Sequence, residues 1–447
     1  MDTASRVLGR YAVRLSYKDL SPEVVRYGKH LLLDTLGVAF GGYLSEPSHA
    51  TRSVVRELSG RPESTVIGTG DKTSCSLATL ANCVMVRYLD FMDIYYTADA
   101  CHPSENVPAA LAVGEREGSS GKDVLLAMFL GFEFQGRLAD TWPAAKLGWH
   151  HVSMGAYVTP YIAGKLLGLT EDQMVNAAGI GGYTNNTMNY AIGPITQIKA
   201  LGYGLASQRG IEAALMARRG MTGPDDVIER FNRVVGGNAD LGPVLKGGDK
   251  PRILKSGIKP YAAEYMTHTP LDALQAIVKE NNLKPEEIDG MHLRMFEFAM
   301  QLAAEDRYKP DTREQADHSL PYCLAVGLFE GDLGPEQFAH EQWKDPKVLD
   351  LMSRIKVSMD PELEKVYPKA RPADLEMWTK DGRTFRKRVD YPKGDENNPM
   401  TDEEVQAKFR KLARPFMSEK RVQTIIEAVN HIEELDDIHE FMNLLVV

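Results

Sequence analysis

The segment Tyr88-Leu89-Asp90-Phe91-Met92-Asp93, followed by Cys101-His102-Pro103-Ser104, concentrates groups that move protons. A carboxylate beside an imidazole orients the ring and tunes its proton affinity, as a general acid or base requires. Asp90 and Asp93 are three residues apart and share a face if the segment is helical. Pro103 biases His102 away from helix, into a loop from which its ring can enter a cleft. The same pattern also fits a helix end with two solvated aspartates and an idle loop histidine.

Three further neighbourhoods carry similar residue types. Gly148-Trp149-His150-His151-Val152-Ser153 reads as a helix start, where free N–H groups favour anions. Adjacent histidines point to different faces, so at most one of His150 and His151 serves a given site. Thr196-Gln197-Ile198-Lys199 leads into a small-residue helix, and its lysine reads as a snorkelling surface residue or as a cation aimed at a carboxylate. Lys259-Pro260-Tyr261 with Thr267-His268 lies near a change in composition, and Asp317-His318-Ser319-Leu320-Pro321-Tyr322 opens a helix downstream. Together these supply two lysines, several histidines and aspartates and a tyrosine, a set suited to holding a polycarboxylate and moving protons. His30, His49, His292, His340, His431 and His439 stand alone and read as structural or surface residues. No phosphate loop, dinucleotide glycine fingerprint or GxSxG occurs.

The composition narrows the class. The 447 residues carry 52 Lys and Arg against 62 Asp and Glu, a net charge of −10, which argues against a nucleic-acid partner. Cys75, Cys83, Cys101 and Cys323 form no CxxC pair and no HxxxH is present, so neither a metal nor another cofactor is expected. Leu31–Phe40 and Val124–Phe132 are too short to span a bilayer, and the amino terminus lacks a secretory core. A reduced, cytoplasmic setting without membrane contact is the expectation.

The elements that must position these groups are mostly helical. Ser21-Pro22-Glu23 reads as a helix start. Helical patterns also run from Val107, over Lys122–Trp142, Met154–Leu167 and Thr170–Ala178, and over Gly202–Arg219. Small residues crowd them (GAYVTPYIAG, NAAGIGGY), which lets helices approach closely and predicts an all-helical bundle. After Lys250 helices alternate with strands: Pro270–Asn281 and His318–Glu330 as helices, Gly290–Glu297 as a strand, and a hairpin of Ala373–Thr379 with Arg383–Tyr391. Thr401-Asp402-Glu403-Glu404 is a capping box that opens C-terminal helices. The predicted fold class is mainly α: a large helical domain of residues 1–255 rejoined by 400–447, with a smaller α+β lid over 256–399.

Four ordered blocks resemble the MmgE/PrpD family: RYLDFMD with CHPSENVPAALAVGE, GWHHVSMGAYV, TREQADHSLPYCLAVGLFEG, and RVDYPKGDENNPMTDEEVQAKFRKLA. The likeness runs almost end to end. It implies a two-domain, usually dimeric protein whose relatives act on substrates bearing several carboxylates. They include cluster-free 2-methylcitrate or citrate dehydratases, cis-aconitate decarboxylases and iminodisuccinate epimerases. The resemblance assigns catalytic positions to Asp90, His102, His151, Lys199, Lys259 and Tyr322. His150, Ser104, Gln197, His268 and His318 are the expected binding residues. The dehydratases show Asp-His-Val at 150–151, so His151 followed by Val152 is the favoured match, whereas decarboxylases and epimerases would select His150. Ala263-Glu264-Tyr265 follows the dehydratase pattern up to Met266, where those enzymes have histidine. His268 stands where decarboxylases carry one, and Ile94 where they often have threonine. The resemblance therefore implies a hydro-lyase for a 2-hydroxy tricarboxylate in propionate catabolism, working as a homodimer without cofactor. Decarboxylation of cis-aconitate, epimerisation of an imino diacid and an inactive binding relative are the alternatives.

Overall fold

Helix Cys75–Tyr88 carries no charge before Arg87, and each residue from Cys75 to Arg87 is buried, Ser76, Thr79 and Asn82 included. A helix without a charged face sits in the middle of a bundle, and this one does in the computed structural model. The structure describes residues 2–97, 99–184, 188–189, 195–339 and 341–447; His340 lies outside them. Helices Pro22–Gly42 and Ile198–Arg218 close on Cys75–Tyr88 through glycines. A Cβ on Gly42 would stand 2.2 Å from the Met85 carbonyl, and one on Gly204 3.1 Å from that of Leu80. Helices Val107–Glu117, Gly121–Thr141, Gly155–Leu166 and Glu171–Tyr183 complete the layer. Their boundaries follow the caps legible in the sequence, including Ser21, whose Oγ accepts from Val24 N at 3.3 Å, and the Thr170–Gln173 capping box.

The helical part is not purely helical. The chain leaves the helix after Tyr88, passes Asp90 in the left-handed region at φ +51°, and enters the strand Asp93–Tyr96. That strand pairs antiparallel with Ala100–Cys101 and with Gly257–Ile258. Asp90 and Asp93 therefore do not share a helix face, as a continued helix would require. Strands of two to four residues carry too little alternation to reveal this short sheet, which is largely buried.

Beyond it, a four-stranded sheet runs in the order Ile355–Met359, Ile288–Met295, Ala373–Thr379, Thr384–Val389. The first pair is parallel and the others antiparallel. The expected hairpin turns at Lys380-Asp381-Gly382, with Gly382 at φ +90°. Strand Ile355–Met359 was not expected; Ile355, Val357 and Met359 alternate with Lys356 and Ser358, but the run is only five residues long and only Ile355 is buried. Helix His268–Asn281 packs on the hairpin and against Leu320–Glu330.

The C-terminal helices return to the first part. Helix Asp402–Ala413 lies on Pro22–Gly42, with the rings of Phe40 and Phe409 at 6.4 Å. Lys408 on this helix is buried; its Nζ lies 2.6 Å from Asp34 Oδ1 and donates to the carbonyls of Phe91 at 2.6 Å and Lys259 at 2.8 Å. Among the described residues no helix is long and apolar enough to cross a membrane.

Strand Gly257–Ile258, which precedes Lys259, is held by a backbone contact that only glycines permit. Ile258 N donates to Gly394 O at 2.9 Å, and Gly394 has φ +88°. A Cβ on Gly394 would fall 1.8 Å from Ile258 O. Gly394→Ala is expected to lower the unfolding temperature well beyond Gly331→Ala. Gly331 also has positive φ but nothing within 4 Å of an added Cβ, so it pays only the conformational cost of about 1–3 kcal/mol. Calorimetry of the two variants checks this, and equal losses would contradict it.

Candidate active site

Asp90 anchors the site. Its carboxylate is 3% exposed and meets Lys259 Nζ at 2.7 Å, Lys199 Nζ at 2.9 Å and Arg87 NH1 at 3.1 Å. Burial works against ionisation, but Lys199, then Lys259 and Arg87, overcome it and hold the carboxyl well below the usual range. The left-handed turn at Asp90 brings this about, because it aims the side chain back toward the end of its own helix. Lys259 also donates to the Asp90 carbonyl at 3.1 Å and to Ala263 O at 3.2 Å.

Lys199 bridges to a second buried carboxylate, Asp317, at 3.0 and 3.2 Å. Arg313 NH1 is 3.1 Å from Asp317, and His318 Nδ1 bonds to its other oxygen. Burial raises Asp317, but Lys199, His318 and Arg313 bring it down to about 2. Asp90, Asp317 and His318 offer ligand atoms within 4.8 Å of one another, the one such group among the described residues. The Lys199 ammonium bridges both of those carboxylates, so the protein's own cation serves the donors a metal would need.

Three imidazoles face these charges. His102 Nδ1 donates to the Asp93 carbonyl at 2.6 Å. A carbonyl can only accept, so the neutral ring carries its lone pair on Nε2, which lies 4.0 Å from Asp90 Oδ1. Burial, then Arg87, Lys259 and His151, push His102 well below its ordinary value. The His151 ring stands 5.2 Å from that of His102 and 4.1 Å from that of His150. Burial, with Arg87, takes His151 down to about 3, and burial with His151 takes His150 well down too. All three rings are neutral bases near neutral pH.

Carboxyls nearby shift the other way. Burial raises Glu264 to about 7, and raises Glu105 and Asp93 to about 8. The site thus combines fixed cations, neutral imidazoles and carboxyls that retain protons. That combination binds anions and exchanges protons with them.

These groups open on a cavity of about 360 Å³ lined by Arg87, Asp90, His102, His150, His151, Lys259, Glu264 and His318. Ile94, Trp149, Ile195, Phe298 and Leu302 supply apolar wall, and Lys146 and Arg307 add cations. Lys199 stands behind Asp90 instead of on the wall. Four expected residues are elsewhere. The Tyr322 hydroxyl donates to the Gln337 carbonyl while its ring packs on Phe338 and Trp343, because its helix turns that face into the lid core. Gln197 is exposed and donates to Glu46 at 3.1 Å. Ser104 is buried, donating through N and Oγ to Asp93. His268 lies under the rings of Tyr261 and Tyr265, with Nε2 donating to Ala263 O at 3.2 Å. Sequence reasoning missed Arg87, Glu105 and Glu264. Arg87 had a signal, as the one charge in an otherwise uncharged helix.

The N-terminal and C-terminal domain profiles of MmgE/PrpD match residues 6–241 and 261–434. The chain belongs to the MmgE/PrpD family. Its relatives there include the cis-aconitate decarboxylase of Mus musculus, 28% identical across 96% of this chain and 91% of that protein. The mitochondrial 2-methylcitrate dehydratase of Yarrowia lipolytica is 26% identical across 81% of this chain and 74% of its own length. The 2-methylcitrate dehydratase of Salmonella typhi is 23% identical across 81% and 80%. The second family profile spans both the four-stranded sheet and the helices that pack on Pro22–Gly42.

Asp93 gives this MmgE/PrpD site a stability signature. Its folded value of about 8 lies above the ordinary 3.8, so between those limits the unfolded chain gives up the proton first. Stability therefore falls as pH rises through the window and levels off above it. Asp93→Asn keeps an acceptor for Ser104 and removes the ionisation. Its unfolding temperature is expected to fall less than that of the wild type between about pH 5 and about pH 8. Parallel curves would contradict the assignment.

Proposed function

We propose that this protein is a lyase that dehydrates a 2-hydroxy tricarboxylate such as 2-methylcitrate or citrate. One observation carries the reading: His102 holds a neutral ring with its lone pair on Nε2, in a cavity walled by Lys259 and Arg87. Those cations receive substrate carboxylates and stabilise the negative charge that builds on the carboxylate beside the reacting carbon. His102 Nε2 takes the α-proton, and His151 on the same wall protonates the departing hydroxyl. Asp90 keeps the lysines and Arg87 in register. Glu264, raised by burial to about 7, gives a hydrogen bond to a substrate carboxylate in its protonated form. The same proposal includes two domains, 1–255 with 400–447 and 256–399, and a cytoplasmic homodimer in propionate catabolism; these rest on the family resemblance.

A second reading, decarboxylation of cis-aconitate, is supported by the mouse decarboxylase, which aligns over 96% of the chain. It uses the same cations and an acid that delivers a proton to carbon as CO₂ leaves.

The deciding assay incubates chelator-treated protein separately with 2-methylcitrate, citrate and cis-aconitate and identifies products by NMR. An unsaturated tricarboxylate from either of the first two is the expected result. Itaconate with CO₂ from cis-aconitate would transfer the assignment to the second reading, and inactivity on all three would overturn both. His102→Asn is expected to lose at least about two orders of magnitude in turnover. A variant within a few-fold of wild type would remove His102 from its role.

A further inference from the structure

The proposed chemistry leaves one difficulty. His151 is to deliver a proton, yet its ring is a very weak base that carries no second proton near neutral pH. The structure supplies a source beneath it. Glu105 is fully buried on the turn after His102 and does not line the cavity. Its Oε2 lies 3.6 Å from His151 Nε2, and its Oε1 lies 3.2 Å from Arg87 Nε. Neither carboxyl oxygen makes a hydrogen bond, and neither does His151 Nε2, although all three atoms are buried. Orphaned buried donors and acceptors are costly, and here the acid and the base that could satisfy each other stand face to face.

We propose that Glu105 is the proton-holding partner of His151, a positioning residue that acts through the imidazole and never touches substrate. This deepens the lyase reading and rests on it for its role in turnover. In the resting site the carboxyl keeps its proton on Oε2, opposite the Nε2 lone pair. When the hydroxyl of a bound substrate begins to leave, the Oε2–H bond breaks and an Nε2–H bond forms. The ring passes its Nδ1 proton to the departing hydroxyl, which leaves as water. His151 ends neutral with the proton on Nε2, and Glu105 ends as a carboxylate facing Arg87. The α-proton collected by His102 balances the count, and exchange with solvent resets both groups.

The groups facing Glu105 from each side are consistent with this assignment. Arg87 and Cys83 come from helix Cys75–Tyr88, Asp90 from the turn after it, Asp93 and Cys101 from the short sheet, Lys259 beyond Gly257–Ile258, and Tyr203 from helix Ile198–Arg218. Burial is the strongest influence and raises the carboxyl to about 8, and Asp90 adds to it; Arg87 and Lys259 pull the other way. Near neutrality Glu105 therefore holds a proton, and Arg87 stands ready for the anion.

Glu105→Gln preserves shape and removes the acid; Glu105→Asp restores the acid on a shorter arm. The test is the infrared carboxylic-acid carbonyl band of the full chain, titrated from about pH 6 to about pH 9. Asp93 and Glu264 contribute bands of their own, so the wild-type minus Glu105→Gln difference is the readout. A band in that difference that bleaches with its midpoint near 8 supports the pair, and no such band overturns it. On a turned-over substrate, Glu105→Gln is expected to lose about a hundredfold in kcat, with KM within about threefold. Its alkaline limb should disappear, and Glu105→Asp should regain part of the rate. An unchanged alkaline limb, or equal losses in Gln and Asp variants, would overturn the relay. If the band titrates as expected and no polycarboxylate reacts, the pair stands and the lyase reading falls.

Discussion

The structure depends on keeping one carboxylate ionised where there is almost no water. Asp90 alone at 3% exposure would take up a proton. With Lys259, Lys199 and Arg87 around it, it is the point on which four parts of the chain converge. Arg87 comes from the end of the central helix, Asp90 from the turn after it, Lys199 from the start of another helix, and Lys259 from the end of a buried strand. Removing one partner of such a cluster leaves uncompensated charge inside, which is far more costly than never having built it. The arrangement therefore ties the chemistry to the integrity of the fold.

The same field decides the protonation states of everything nearby. Burial, together with the cations that hold Asp90 ionised, disfavours imidazolium, so His102 and His151 are neutral. Carboxyls that lack enough cationic contact move up instead, as Glu264 and Glu105 do. Two kinds of group with opposite ordinary charges are thus driven to neutrality in one cavity, and that separation of acid from base is what proton-transfer sites exploit. The wall of this space presents Lys259, Arg87 and Arg307 beside the ionised Asp90 that two of them contact.

Much of the architecture was legible because it is written in local signals. Ser21, Thr170 and Thr401 cap helices where the sequence placed helix starts, and Lys380-Asp381-Gly382 turns the hairpin. The strand at Asp93–Tyr96 escaped because its partners, Ala100–Cys101 and Gly257–Ile258, are two residues long and one is remote in sequence. Among site residues, those flagged by clustered polar types, such as His102 and Lys259, line the cavity. Tyr322 does not, because one residue type in a dense polar block says nothing about which helix face it occupies. Glu105 was missed for a related reason: it looks like an ordinary charge on a turn until tertiary packing removes it from water.

Lys408 connects the end of the chain to the beginning of the site. Its ammonium donates to the carbonyls of Phe91 and Lys259, so a residue near the C-terminus fastens together the two backbone stretches that carry Asp90 and Lys259. During synthesis the N-terminal helices emerge first and can begin to pack, but this fastening waits until residue 408 has left the ribosome. Until then Asp34 and the carbonyls of Phe91 and Lys259 lack the cation they share. The two stretches of backbone that carry Asp90 and Lys259 thus receive their shared fastening from one of the last helices to be made.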